Sequence, residues 1–183
     1  MWRLLFLMLV SAPLVAAAQP VPRTGYFPAE TEGKPWEEQK LQLPPIPAAE
    51  NLIRVQVDDA QGFAFFVDSA SVSVGTDDVV RYTLVARSES GATNISFEGI
   101  KCKTRERKLY AIGRADHTWS PARNPQWTPI SELPANRAQA VLFGEYFCPA
   151  RIIVRNTDDA RRVLKQGGDP RASGSAELWN QPR

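Results

Sequence analysis

The chain has 183 residues, of which 22 are Lys or Arg, 20 are Asp or Glu and only one is a histidine, giving a formal net charge of +2. This near balance argues against a dedicated nucleic-acid-binding protein, which normally carries a strong basic excess to replace phosphate counterions. A zinc centre is disfavoured because His117 is the only histidine, and we predict no metal site and no cofactor.

The amino terminus has the pattern of a secretory signal peptide. Arg3 precedes an apolar run from Leu4 to Val10, and three alanines that end at Ala18 form a small-residue cleavage site. The run is shorter than the roughly 20 apolar residues of a membrane-spanning helix. We therefore expect residues 1–18 to be removed, leaving an exported, soluble, single-domain chain with no transmembrane segment.

Two cysteines, Cys102 and Cys148, lie 46 positions apart. In an oxidising compartment an isolated pair is most simply a disulfide. The sequence has no C-x-x-C motif of the kind that accompanies redox-active thiols. We predict a structural disulfide, with a reactive thiol or two free buried cysteines as the alternatives.

Residues 19–50 form a proline-rich arm that holds seven of the fifteen prolines. Proline fixes φ and removes a backbone donor, so the arm is predicted to be extended, with at most one short helical turn near residues 36–40. Trp36 and Leu43 are candidates to pin it to the domain as a strap. The alternative is a flexible tether that offers its aromatic residues to a partner.

From Leu52 onwards, apolar residues recur at every second position, which indicates β-strands. The turn at residues 75–78 makes the best hairpin, and after it Val80, Tyr82 and Leu84 alternate with the polar Arg81 and Thr83. We predict half-buried strands near residues 52–57 and 63–67, followed by three consecutive strands at residues 72–74, 80–86 and 93–100 that pair as an antiparallel meander.

The alternation of apolar residues shifts by one position at Glu98 and Gly99. A bulge or kink at Gly99 would keep both Phe97 and Ile100 on the core side. A long strand is then predicted over residues 100–112, with Cys102 pointing inward. Residues 113–134 contain four prolines and are predicted to form a long ordered loop.

The carboxyl-terminal part is predicted to be mainly helical. A helix over residues 136–147 delivers Cys148 to the sheet, a strand follows at 151–154, and a second helix spans 158–165 with Asn156 or Thr157 as its cap. The predicted fold is therefore α+β, an antiparallel meander with one or two helices and one disulfide over residues 51–168. A polar, disordered tail is predicted at residues 169–183.

Two groups of residues are candidates for ligand binding. A basic stripe places cations at alternate positions of the predicted long strand, on the face opposite Cys102, where an anionic headgroup, acidic glycan or acidic protein could bind. The alternative is a solvated face whose lysines discourage edge pairing. The stripe consists of Lys101, Lys103, Arg105 and Arg107.

The second candidate is the loop that contains Trp119, Arg123 and Trp127. Tryptophan and arginine in a proline-stiffened segment can stack on a sugar ring or grip a peptide. Equally, the two tryptophans can cap the core beneath a weakly anchored loop.

Catalytic groupings are weak, and we assign no catalytic residue. His117 has Asp116 and Ser120 nearby in sequence, but no G-x-S-x-G motif accompanies them. A noncatalytic binding domain is the leading hypothesis. An envelope hydrolase or transferase, with His117 and a nearby carboxylate as acid and base, is the alternative.

Several segments together resemble the CNP-like family of exported proteobacterial proteins. The segments are Trp36, Leu43-Pro44, VVRYTLV at 79–85, SGATN at 90–94, EGIKCKT at 98–104 and YAIG at 110–113. The resemblance implies a periplasmic or cell-envelope setting and brings no catalytic residues with it. A partner, if there is one, would then be an envelope protein or an anionic envelope ligand.

Overall fold

Within the described residues, the centre of the fold is a seven-stranded antiparallel sheet. The first six strands pair in chain order, and the seventh pairs with the fifth. The structure, a computed structural model, describes residues 35–58 and 62–172. From Trp36 the chain forms one compact unit. The strands are β1 Leu52–Val55, β2 Phe63–Val74, β3 Val79–Ser88, β4 Thr93–Lys101, β5 Glu106–Gly113, β6 Trp119–Pro121 and β7 Thr128–Pro129.

The predicted helices are confirmed. The first begins as a 3₁₀ turn at Pro134–Asn136, continues as α1 at Arg137–Val141 and ends as a π-helix at Leu142–Phe147. The second, α2, spans Thr157–Lys165 and is capped by Asn156, whose side chain accepts from the Asp159 amide at 2.9 Å. No helix within the described residues is long and apolar enough to cross a membrane.

The predicted strand at residues 151–154 does not form. Ala150 and Arg151 both have left-handed backbone conformations, with φ of 53° and 63°, and they turn the chain back towards the preceding helix. The Val154 amide then donates to the Phe147 carbonyl at 2.9 Å. This contact lies beside the disulfide, which joins Cys102 to Cys148 as predicted, with a Cα–Cα distance of 5.3 Å.

Both faces of the sheet are covered. The helix face carries Val80, Tyr82 and Ile100, which pack in the main core with residues of α1, the π-helix and α2. The opposite face, here called the strap face, carries a smaller cluster around Phe97 and Tyr110. It is crossed by residues 36–48, which contain no helix or strand and are called the strap.

The irregularity near Gly99 is present, but its extra residue is in β5. Strand β4 pairs continuously with β3, whereas on its other side Phe97 pairs with Ala111 and Glu98 pairs with Leu109. Tyr110 is therefore the unpaired bulge residue. The apolar phase changes because Phe97 faces the strap and Ile100 faces the helices, so the prediction of a bulge at Gly99 was wrong.

The predicted long strand over residues 100–112 is a hairpin. β4 ends at Lys101 and β5 begins at Glu106, and Arg105 in the turn has a φ of 56°. The predicted loop 113–134 also contains more structure than expected, because β6 and β7 both pair with β5. The predicted signal peptide, arm residues 19–34 and tail residues 173–183 lie outside the described residues.

Candidate functional site

The strap is fastened to the strap face at two points. At one end the Trp36 indole donates to the Asp77 carbonyl, and the Gln39 amide donates to Asp77 Oδ2, both at 2.8 Å. At the other end Trp119 Nε1 donates to the Pro44 carbonyl at 2.7 Å. Among the described residues, no hydrogen bond joins residues 40–43 to the sheet. The strap is thus clamped at both ends and held in the middle by packing alone.

A cluster of charged side chains lies beneath the first clamp. Arg81 donates to both oxygens of Asp77, at 3.1 and 2.6 Å, and only 6% of Arg81 is exposed. The Glu38 carboxylate of the strap accepts from Lys108 Nζ at 2.7 Å and from the Tyr110 hydroxyl at 2.6 Å. The two cations and two anions balance, which lets them lie close to the apolar cluster.

The electrostatics of this cluster favour the ionised forms. Burial by itself would raise the pKa values of Glu38 and Asp77. Hydrogen bonds from Lys108 and Tyr110 outweigh burial at Glu38 and lower its pKa. Hydrogen bonds from Arg81 do the same at Asp77. Burial would lower the pKa of Arg81, yet its bonds to Asp77 raise it. Burial and the neighbouring Glu38 raise the pKa of the Tyr110 hydroxyl, so it stays a donor.

Aromatic rings complete the first clamp. Lys101 Nζ lies 3.6 Å from the ring centre of Trp36 and 5.0 Å from that of Trp127. Trp127 meets Trp36 edge-on at 6.1 Å and Tyr110 edge-on at 6.4 Å. Trp127, proposed from sequence as a recognition residue, therefore packs between the strap and the sheet.

The four cations of the basic stripe do not share a face. Lys101 stacks on the strap face, whereas Arg107 pairs with Ile100 in the sheet and so points towards the helix face. Arg105 pairs with Glu132 and lies 5.4 Å from the Phe143 ring centre, and Lys103 is exposed in the turn. The stripe required one continuous strand, and the hairpin removes that alternation.

The other candidates from the sequence are separated as well. Trp119 lies 6.1 Å from the Phe97 ring and clamps the strap, whereas Arg123 is exposed and makes no ion pair or hydrogen bond with the described residues. His117 is exposed in the β5–β6 turn with a φ of 60°. The neighbouring Asp116 carboxylate is engaged by the Thr118 amide at 3.1 Å and hydroxyl at 2.6 Å.

A cavity of about 370 Å³ opens between the strap and β2 to β4, and we call it the strap groove. Arg81 and Phe97 lie at its floor, and Gln39, Gln42 and Ser73 are exposed around its mouth. The full lining is Gln39, Lys40, Leu41, Gln42, Pro44, Ser71, Ser73, Val74, Gly75, Arg81 and Phe97.

Two polar atoms under the groove have no hydrogen-bond partner among the described residues. They are Nε of Arg81, which lines the groove, and the hydroxyl of Thr83, a completely buried residue that lies next to the lining rather than in it. Thr83 pairs with Phe97 in the sheet and so shares the strap face with it. Five other buried polar atoms among the described residues also lack partners, so it is the position of these two beside an open groove that makes them candidates to contact a ligand or a water molecule.

The helix face has a polar network of a different kind. The buried Glu98 carboxylate accepts from Tyr82 at 3.2 Å, from Ser96 at 2.7 Å and from Gln139 at 3.2 and 3.0 Å. This network joins α1 to the sheet, and its donors satisfy both oxygens of the Glu98 carboxylate. Within the described residues no group of three or more His, Cys, Asp or Glu side chains could hold a metal ion.

The sequence predicts that Trp36 pins the strap, but it does not identify the charged residues beneath the first clamp. Asp77 was interpreted as a turn residue, and Arg81 as part of the polar side of a half-buried strand. A signal was present, since opposite charges at Asp77 and Arg81 flank one end of the predicted hairpin. Glu38 lies far away in sequence, so its contact with Lys108 and Tyr110 had no local signal.

A model of the CNP1-like family matches residues 31–165, which is more than half of the chain. This chain belongs to the CNP1-like family. It is similar to Cryptic neisserial protein 1 of Neisseria gonorrhoeae, with 26% identity over 157 residues that cover 77% of each chain. No solved structure matches it. The segment matched to the CNP1-like family includes the whole strap, the groove and both cysteines.

Proposed function

We propose that this CNP1-like protein is a noncatalytic binding domain of the bacterial cell envelope, exported with a signal peptide cleaved after Ala18, and that its ligand occupies the strap groove. The observation that carries the proposal is the unpartnered Nε of Arg81 in the groove floor, with the buried, unpartnered hydroxyl of Thr83 next to it on the same face of the sheet. Leaving such a group without a hydrogen bond costs about 1–3 kcal/mol. A ligand that reaches these atoms would recover part of that cost.

The way the strap is held supports a binding role. Its ends are fixed by hydrogen bonds to Asp77 and Trp119, whereas residues 40–43 make no hydrogen bond to the sheet among the described residues. Residues 40–43 can therefore lift to admit a ligand, while the clamped ends of the strap and the sheet keep the rest of the lining in place. Preorganised walls reduce the entropy lost on binding.

The lining also favours binding over chemistry. It contains no His, Cys, Asp or Glu among the described residues, so it offers no general acid–base pair. The hydrolase or transferase alternative depends on His117, which is exposed in a turn whose Asp116 already bonds Thr118. The buried disulfide between Cys102 and Cys148 supports an oxidising compartment.

Substitutions at Ser73 test the groove, because this exposed strand residue lines it and can accept a large side chain. The probe is the low-molecular-mass fraction of a cell-envelope extract from the source bacterium. We expect this fraction to raise the Tm of the wild type and of the matched control Ser73→Ala, but not of Ser73→Trp, which fills the groove. An equal rise in Ser73→Trp, or no rise in the wild type, would remove the proposal.

Export is tested separately by fractionating the bacterium and sequencing the amino terminus of the recovered protein. We expect a periplasmic protein that begins at Gln19. A protein that keeps residues 1–18, or that stays in the cytoplasm, would contradict the envelope part of the proposal.

A further inference from the structure

We propose that the strap groove binds an uncharged, hydroxyl-rich ligand, which among biological molecules means a neutral saccharide. The inference rests on the proposed function of the groove and names the chemistry of its ligand. It follows from which groups around the groove are already engaged and which remain unpartnered.

Charged ligands are poorly matched to the groove. Both oxygens of Asp77 bind the Arg81 guanidinium and balance its charge, so an anion would meet a neutral ion pair from which only the Nε–H is free to donate. A cation would find no carboxylate in the lining, and the nearby carboxylates of Asp77 and Glu38 are already bound by other side chains. Lys40 adds one charge at the mouth, but it is exposed, where an ion pair typically contributes about 0–1 kcal/mol.

The groups that remain are neutral hydrogen-bonding groups. The Ser73 hydroxyl and the side-chain amides of Gln39 and Gln42 line the groove and make no hydrogen bond to the described residues. Below them lie the unpartnered Thr83 hydroxyl and Arg81 Nε. Hydroxyls and amides both donate and accept, which matches a sugar hydroxyl that does the same.

Apolar surface is present beside these groups. Leu41 and Pro44 of the strap and Phe97 and Val74 of the sheet line the same groove. Sugar rings carry C–H groups that pack on such side chains. The groove volume of about 370 Å³ is near the lower end of small-molecule sites, about 300–1,000 Å³, and suits a mono- or disaccharide.

Binding can be followed by NMR on the isotope-labelled mature protein, through the Arg81 Nε–H and the side-chain amides of Gln39 and Gln42. The neutral probes are glucose, N-acetylglucosamine and its β-linked disaccharide, and the anionic probes are glucuronate and glycerol phosphate. We expect a neutral saccharide to shift these three signals saturably, and the anions to leave them unchanged. Tighter binding of the disaccharide than of either monosaccharide would indicate the end of a glycan chain rather than a free sugar.

Thr83→Val is the decisive variant, because valine has nearly the same shape and lacks the hydroxyl. We expect saccharide binding to weaken about tenfold, corresponding to one lost hydrogen bond. The free protein should be at least as stable as the wild type, since no buried hydroxyl is left unpartnered. Thr93→Val, at an exposed position of β4 away from the groove, is the control and should bind normally.

The outcomes separate the two proposals. If only the anions shift the groove signals, or if Thr83→Val binds the saccharide as the wild type does, the saccharide inference is wrong and the groove remains a binding site. If no probe shifts them while the envelope extract still stabilises the wild type but not Ser73→Trp, the ligand is not a neutral saccharide. If the extract effect is absent as well, the proposed function fails with it.

Discussion

The Tyr110 hydroxyl donates a hydrogen bond to Glu38 Oε1 at 2.6 Å, joining the strap to a residue 72 positions further along the chain. Tyr110 reaches the strap because it is the bulge residue of β5, so that it and the next residue, Ala111, both pack in the cluster on the strap face. One irregularity in the strand pairing therefore supplies the hydroxyl that holds the strap.

Glu38→Gln tests this contact. The amide oxygen can still accept from Tyr110, but Lys108 loses its anion. Because Glu38 is partly exposed, solvent screens the ion pair, and we expect the free energy of unfolding to fall by about 1 kcal/mol. We also expect faster hydrogen exchange at the Gln39 amide. Urea unfolding measures the first effect, and Glu50→Gln, at an exposed carboxylate, should leave both quantities unchanged.

The same clamp predicts acid sensitivity. Glu38 and Asp77 have ordinary pKa values of 4.5 and 3.8, and both values are lowered in the fold by their hydrogen-bonded partners. A lowered carboxyl pKa contributes stability that is complete above the ordinary value and is lost as the pH falls through the folded value. We therefore expect the free energy of unfolding to decrease as the pH falls below about 4.

Two carboxyl groups act in the opposite direction. Burial raises the pKa of Asp68, and burial together with the neighbouring Asp58 raises the pKa of Glu145, so acidification through these raised values adds stability. The comparison that isolates the clamp is urea unfolding of the wild type and Glu38→Gln across the acidic range. The variant should show a shallower loss of stability, and equal slopes in the two proteins would show that Glu38 does not contribute.

The order of strands, the helices and the disulfide could be predicted because each has a local signal. Alternation marks the strands, turn residues mark the hairpin at 75–78, and apolar spacing marks α1 and α2. The alternation of apolar and polar residues does not predict what covers the second face of a sheet. The sequence therefore places Arg81 and Thr83 on the polar side of a half-buried strand, although in the fold the exposed fractions of these residues are 6% and 0%.

The hairpin between β4 and β5 was not predicted because its turn lacks a local sequence signal. Its turn, residues 102–105, contains no glycine, proline, asparagine or aspartate, and Arg105 adopts a left-handed conformation that such residues usually supply. The expectation that the four cations of the basic stripe share one face was wrong because of this missed turn. The groove itself has no motif, because its walls come from the strap and three strands that meet only in the fold.

The disulfide should provide much of the stability of the fold. It ties the turn after β4 to the end of the π-helix, and both cysteines are buried. For cysteines 46 positions apart the loop-entropy model gives about 4 kcal/mol. We expect the free energy of unfolding, measured with urea, to be lower by that amount in the double variant Cys102→Ala/Cys148→Ala.

A reductant provides the control for this variant. Wild-type protein that is unfolded, reduced and refolded with reductant present should show the stability of the double variant, and the double variant should not respond to reductant. Equal stability of oxidised wild type and double variant would mean that the bond joins elements already held by packing.

Gly99 provides a steric test of the Tyr110 contact. A Cβ at this position would lie 2.8 Å from the Tyr110 hydroxyl and 3.1 Å from Val79 Cγ1, both closer than normal contacts allow. Val79 is buried in the sheet, so Tyr110 has to move, and its bond to Glu38 is weakened. We expect Gly99→Ala to lose about 1–3 kcal/mol of stability by overpacking.

Stability alone would not show that the strap is affected, so the Gln39 amide is again the second readout. In Gly99→Ala its hydrogen exchange should become faster, as in Glu38→Gln, and combining the two substitutions should add little further acceleration because both weaken one clamp. Gly144→Ala is the matched control, since a Cβ there meets nothing within 4 Å. Gly99→Ala could instead destabilise the protein without changing hydrogen exchange at the Gln39 amide. In that case the sheet shifts to accommodate the added Cβ, and Tyr110 does not hold the strap.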